Sequence, residues 1–195
     1  SLGVVITSEI CGIILTRIAT SAPQRAHELT GASLFSVAGN ATYQNAYTLF
    51  ILPYSLIAVS VSTAMFTKIS RSIAAANLDE ARHDLVSALN NVGLLIMFFA
   101  AAMVVFPEPI IRALLPSVSM DETMLISYAL IALSVGIPLG SAFLLIQRTF
   151  YAFEDGLHPF LSAVMQYGFT SIFMIIGMMV LPPEHWVLGI ACSVT

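Results

Sequence analysis

Charge is what this sequence of 195 residues most lacks: Asp, Glu, Lys and Arg together make up 9% of it, against roughly a quarter in an ordinary soluble domain. With 58% of its residues apolar, it cannot cover the surface of a water-soluble domain with so few charges. Basic residues are also scarce. Seven Lys and Arg against eleven Asp and Glu give a net charge of -4, and no basic stripe exists to neutralise phosphates, so nucleic acid is not an expected partner. Cysteine is nearly absent: Cys11 and Cys192 both lie in apolar stretches, which fits two small buried side chains better than a disulfide framework or a zinc site. No secretory leader is recognisable. The sequence opens in mid-pattern at Ser1-Leu2-Gly3 and stops inside a new apolar run, so both ends are expected to be internal to a longer chain.

Signatures of chemistry are missing as well. His27, His83, His158 and His185 fall between the apolar runs without the i, i+4 spacing of a helical metal site. There is no Gly-rich phosphate loop, nucleophile elbow or Cys/His cluster. Asp121-Glu122 and Glu154-Asp155 stand at expected helix boundaries, where carboxylates cap N-termini or remain in water. The expectation is a protein that is not an enzyme and needs no cofactor or metal.

What the sequence has in abundance is long charge-free intervals. A charge at the centre of a bilayer costs roughly 3 kcal/mol or more, so the intervals between charges mark the spans. None occurs between Glu28 and Lys68, Asp84 and Glu108, Glu122 and Arg148, or Asp155 and Glu184. Each interval holds the approximately 20 residues that a helix needs to cross about 30 Å of hydrocarbon. The pattern predicts an all-α polytopic transmembrane bundle, a single truncated domain over 1–195, with spans at about 2–19, 42–66, 86–106, 123–151 and 159–181 and the start of another at 187–195. The first span carries Glu9 and Arg17, and Trp186 introduces the last as an interfacial aromatic. Residues 67–85, with six charges among alanines and serines, read as a cytoplasmic helical connector. The proline-bounded segment 107–116 is too short to cross and is expected to lie along the interface. Lys68, Arg71, Arg82 and Arg148 on one set of loops outnumber Arg25 and Arg112 on the other, which puts 67–85 and 148–158 in the cytoplasm.

Within the second span, Gln44, Thr48, Ser55 and Ser62 recur at intervals that place them on one face of an α-helix, with Tyr43, Asn45 and Tyr47 adding polar groups at the same end. Such a face lines a polar cavity or supplies hydrogen bonds between helices; both readings are open. Gly136 and Gly140 flank Pro138 in the fourth span, a set that either permits close helix approach or forms a hinge; the proline also predicts a kink. Arg148 at the end of that span either snorkels or meets an anionic head group.

Three blocks, in order, resemble the MurJ/MviN lipid II flippases of the multidrug/oligosaccharidyl-lipid/polysaccharide (MOP) exporter superfamily. Asn45-Ala46-Tyr47-Thr48-Leu49-Phe50-Ile51-Leu52-Pro53 with Ala58 to Ala64 resembles the family's helix eight, closest to actinobacterial members. Ile69-Ser70-Arg71 and its alanine-rich sequel resemble the next block, and Phe150-Tyr151-Ala152-Phe153-Glu154-Asp155 with His158-Pro159 a third. The resemblance runs from about Thr42 to Leu181 and implies about helices seven to eleven of a fourteen-helix fold, part of the second lobe. It further implies multi-pass residence in a bacterial inner (plasma) membrane and a role in cell-wall biogenesis. Lipid-linked peptidoglycan precursor (lipid II) would pass from the cytoplasmic to the outer leaflet by alternating access, in a cationic cavity shared with an N-terminal lobe of the same chain. The implied partners are that precursor, membrane lipids and that missing lobe. Many relatives carry Arg five residues before the helix-eight proline, where this chain has Thr48. The alternatives left open are a related polysaccharide-lipid or multidrug exporter, a membrane-embedded enzyme acting on polyprenyl phosphates, and a noncatalytic scaffold of the cell-wall machinery.

Overall fold

A computed structural model describes residues 2–31, 33 and 36–194 of the chain. Among them there is no strand, and five helices are long and apolar enough to cross a membrane by length and composition. In chain order the α-helices are α1 (Leu2–Thr30), α2 (Asn40–Pro53), α3 (Ser60–Ala74), α4 (Leu78–Val105), α5 (Pro107–Leu114), α6 (Met120–Ala152), α7 (Leu157–Val180) and α8 (Trp186–Val194).

The helices overrun the lengths that charge spacing suggests. The first continues past Ala19 to Thr30, through Pro23 and Arg25. The second spans 40–74 rather than 42–66: α2 and α3 are one rod, joined without a break by a π-helical stretch at 54–59. At 1.5 Å per residue this rod is about 50 Å long, well beyond the hydrocarbon thickness of about 30 Å. Residues 67–85 are helical over most of their length, as the C-terminal part of α3 and the N-terminal part of α4, and only 75–77 leave the helices. The later spans likewise begin earlier than charge spacing suggests, at Leu78, Met120 and Leu157. The final span contains α8, Trp186–Val194; Thr195 lies outside the described residues. Trp186 is buried, its indole N–H donating to the Leu181 carbonyl at 2.9 Å.

Local chemistry ends the helices where it does. After α3, Ala76 takes a left-handed φ of 56° while the Asn77 N–H reaches back to the Ser72 carbonyl at 2.9 Å, the bond that closes a Schellman motif. Asn77 then caps α4 through its side chain, accepting from the Glu80 N–H at 3.2 Å. Ser119 and Glu122 form a reciprocal capping box at the start of α6. One further tie clasps the α3–α4 hairpin: Lys68 donates to Asp84 at 2.6 Å.

The centre of the bundle is α6, the most buried of the five long helices. It packs against α2, α3, α4, α5 and α8. Ser127, Ser134 and Ser141 recur every seven residues and are buried, each hydroxyl donating to the carbonyl four residues earlier. Satisfied in this way, the small polar side chains let helices approach without leaving an unpaired group in an apolar core. The facing helix α4 buries Ala88, Val92, Ile96 and Ala100 at a spacing of four. A second group, α1, α7 and α8, packs together and meets α2 only lightly.

Candidate functional site

Two spaces border α1, a groove along its exposed face and a cavity between it, α2 and α7. Along α1, Glu9, Gly12, Thr16, Arg17, Thr20 and Gln24 all border one groove of about 610 Å³. Glu9, Gly12, Thr16, Thr20 and Gln24 recur every three or four residues along one helical face, with Arg17 next to Thr16, and all six are exposed. Gly12 and Thr16 also border a cavity of about 280 Å³ formed with α2 and α7, which contribute Tyr43, Gln44 and Tyr47, and Gln166, Tyr167 and Thr170. Groove and cavity thus adjoin at Gly12 and Thr16. Six-membered rings run from the site along α2 into the π-helical stretch, where Tyr43, Tyr47, Phe50 and Tyr54 stack in sequence at 5.9, 5.5 and 6.3 Å between centroids.

Of the residues anticipated from sequence, Tyr43 and Gln44 line this cavity. Thr48 and Ser55 are exposed on the same rod, with hydroxyls donating to Gln44 and Leu52 carbonyls at 2.8 and 3.1 Å. Ser62 does not share their exposure. It is fully buried, donating to the Val59 carbonyl at 2.9 Å. The π-helical stretch between Ser55 and Ser62 supplies the reason: a single π-turn adds one residue, and one residue turns the downstream face by about 100°.

Gly136 is buried and α6 continues through Pro138 as helix. At Gly140 a methyl group would stand 3.8 Å from the Tyr54 ring, so the small residue faces the π-helical stretch. Arg148, half-buried near the end of α6, has no ion-pair partner among the described residues.

Sequence reasoning missed the faces contributed by α1 and α7. The signal was present in Glu9 and Arg17, two charges inside an apolar run. Ending that helix at Ala19 left Thr20, Ser21 and Gln24 outside it, and the stripe was not visible as a stripe. Among the described residues no group of His, Cys, Asp and Glu could hold a metal ion.

Comparisons with known proteins agree with this architecture. A family model described as lipid II flippase MurJ matches residues 8–195. The lipid II flippase MurJ of Thermosipho africanus (strain TCF52B) is 29% identical over 128 residues, covering 63% of this chain and 25% of that protein. A solved structure of lipid II flippase MurJ in an inward closed conformation superposes with a TM-score of 0.75 at 23% identity, over 98% of this chain and 38% of the other. The chain thus spans between a quarter and two-fifths of the length of these relatives.

Proposed function

The chain belongs to the lipid II flippase MurJ family, and from that premise we propose that its helices form part of one wall of a path carrying lipid-linked peptidoglycan precursor between leaflets. The observation that carries this reading is a groove on α1 adjoining a cavity between α1, α2 and α7, both bordered by polar side chains on helices that are otherwise apolar. Polar and charged side chains on a spanning helix turn to water, to a ligand or to other protein, not to lipid tails. The groups here suit a large hydrated head. Hydroxyls and amides from Thr16, Thr20, Gln24, Gln44 and Gln166 offer donors and acceptors for sugar and peptide groups, and Arg17 offers charge for a diphosphate.

In this reading no bond is made or broken. The path opens alternately to the two sides as this group of helices rocks against the remainder of the protein, a rigid-body motion around a site near the midplane. The Lys and Arg excess on the α3–α4 hairpin and at the end of α6 supports a cytoplasmic location for both. Tyr43, Gln44, Thr48 and Ser55 belong to the wall, Ser62 to the packing behind it.

Leaflet-to-leaflet movement of lipid-linked precursor by the full-length protein in proteoliposomes tests this. Gln44→Trp, which fills the cavity, is expected to reduce transport about tenfold or more, since misplacement of about 1 Å can cost that much in a positioned site. Leu94→Trp, on an exposed apolar part of α4, should transport as the wild type does. Equal transport by Gln44→Trp and wild type would remove the cavity from the path.

A further inference from the structure

Away from α1, a separate pocket of about 460 Å³ lies between the C-terminal part of α3 and the end of α6 with the turn that follows it. Phe66 and Ser70 border it from α3, and Tyr151, Phe153 and Glu154 from the other side. Lys68 and Arg71 on the same stretch of α3 mark this level as the edge of the hydrocarbon, where lipid head groups lie. Three aromatic rings and one carboxylate therefore share one space. Phe150 is already stacked on His158, but Phe66, Tyr151 and Phe153 stack on no ring among the described residues. Glu154 is exposed and has no ion-pair partner among the described residues, while Asp155 beside it is occupied with the first N–H groups of α7. Ser70 adds a hydroxyl that is buried without a hydrogen-bond partner.

The faces of aromatic rings attract a cation, and a carboxylate accepts hydrogen bonds from an ammonium group. The charges that flank this pocket have the opposite sign. Arg71 follows Ser70, and Arg148 stands one helical turn before Ala152; neither has an ion-pair partner among the described residues. A ligand matching both features carries a phosphate beside its ammonium. We propose that the pocket holds the head group of an aminophospholipid of the surrounding membrane, with its ammonium against Glu154 and the rings of Phe66, Tyr151 and Phe153. This lipid is resident, distinct from any substrate that passes along α1. The backbone points to the Glu154 side chain as the part that matters. The Asp155 N–H returns to the Phe150 carbonyl at 3.0 Å and Glu154 has a φ of 59°, so it occupies the left-handed position of a Schellman motif, where glycine is the usual residue. A carboxylate stands where the absence of a side chain would relieve strain.

The test exchanges the full-length protein in detergent against equal amounts of dioleoyl phosphatidylethanolamine and its N-acetyl derivative, which has no ammonium. Native mass spectrometry reads the ratio of the two lipids retained. The wild type is expected to favour the free amine about fivefold, the size of one exposed cation–π contact. Glu154→Gly should bring the ratio to about one without lowering the thermal midpoint, because glycine is at ease in the left-handed backbone. Tyr151→Leu and Phe153→Leu should each lower the ratio part of the way. A wild-type ratio near one, or retention of neither lipid, would overturn the proposal. So would a Glu154→Gly ratio equal to that of the wild type, the result expected if the rings are only interfacial aromatics. Displacement of the bound lipid by an equal concentration of soluble phosphoethanolamine would overturn the assignment to a lipid.

Discussion

Asp155 sits just ahead of α7, where its carboxylate accepts the backbone N–H groups of Leu157 and His158 at 3.0 and 3.2 Å. The His158 backbone bond, followed by the His158 side chain and the Leu157 N–H, holds this carboxyl below its ordinary value of 3.8, against a smaller opposing effect of desolvation. A depressed folded-state value means that the charged form stabilises the fold above the ordinary carboxylate range. That contribution is lost as pH falls through the lowered value. Asp155→Asn should therefore lower the thermal midpoint in detergent at about pH 6, with the difference from wild type closing as the solution is acidified below the ordinary value. A gap that persists unchanged in acid would show that the carboxylate charge is not what caps the helix. The sequence marks 154–155 as a helix boundary; which of the two acids caps, and through which N–H groups, depends on backbone geometry. Glu154, one residue earlier, takes a left-handed φ of 59° in the turn itself.

At the level of elements, the α3–α4 hairpin shows how an ion pair can be unequal in its two members. The Lys68 side chain is 57% exposed and that of Asp84 only 5%, and one Asp84 oxygen is buried without a partner. Lysine alone can remain hydrated; the carboxylate alone cannot. Lys68→Ala is therefore expected to cost on the order of 3 kcal/mol, as for other buried charges deprived of a partner. Asp84→Asn should cost less, about 1–2 kcal/mol, because a neutral amide carries a smaller desolvation penalty. Unfolding in detergent gives the order of the two, and a larger loss for Asp84→Asn would refute the argument. The charges of this hairpin are plain in the sequence and mark it as lying outside the hydrocarbon. That they occupy the ends of two long helices is not plain, since helix does not stop where hydrocarbon does. The π-helical stretch is the second thing hidden at this scale. Regular 3.6-residue spacing puts Ser62 beside Ser55, and a one-residue insertion with no distinctive composition turns it into the core.

Across the whole molecule, α6 holds the bundle together through small residues, and its contact with the α2–α3 rod can be tested at Gly140. An added methyl group would sit 3.8 Å from the Tyr54 ring, an ordinary van der Waals contact, so Gly140→Ala should fold and transport normally. Gly140→Leu forces the helices apart and should cost roughly 1–3 kcal/mol by overpacking. Thermal midpoint and transport measured together would separate packing from hinge action: a Gly140→Ala protein that is stable yet transports poorly would favour the hinge. By itself the sequence determined that this chain is a bundle of membrane helices, because scarcity of charge is a direct statement about solvent. Its order of blocks also determined the family. Only the tertiary structure decided which polar residues meet. Thr16, Gln44 and Gln166 border one cavity from three helices distant in sequence, and nothing local to any one of them says that the others stand beside it. Burial in a bundle is a property of neighbours, so the same seven-residue spacing is exposed at Thr48 and Ser55 and fills a tight seam at Ser127, Ser134 and Ser141 on α6.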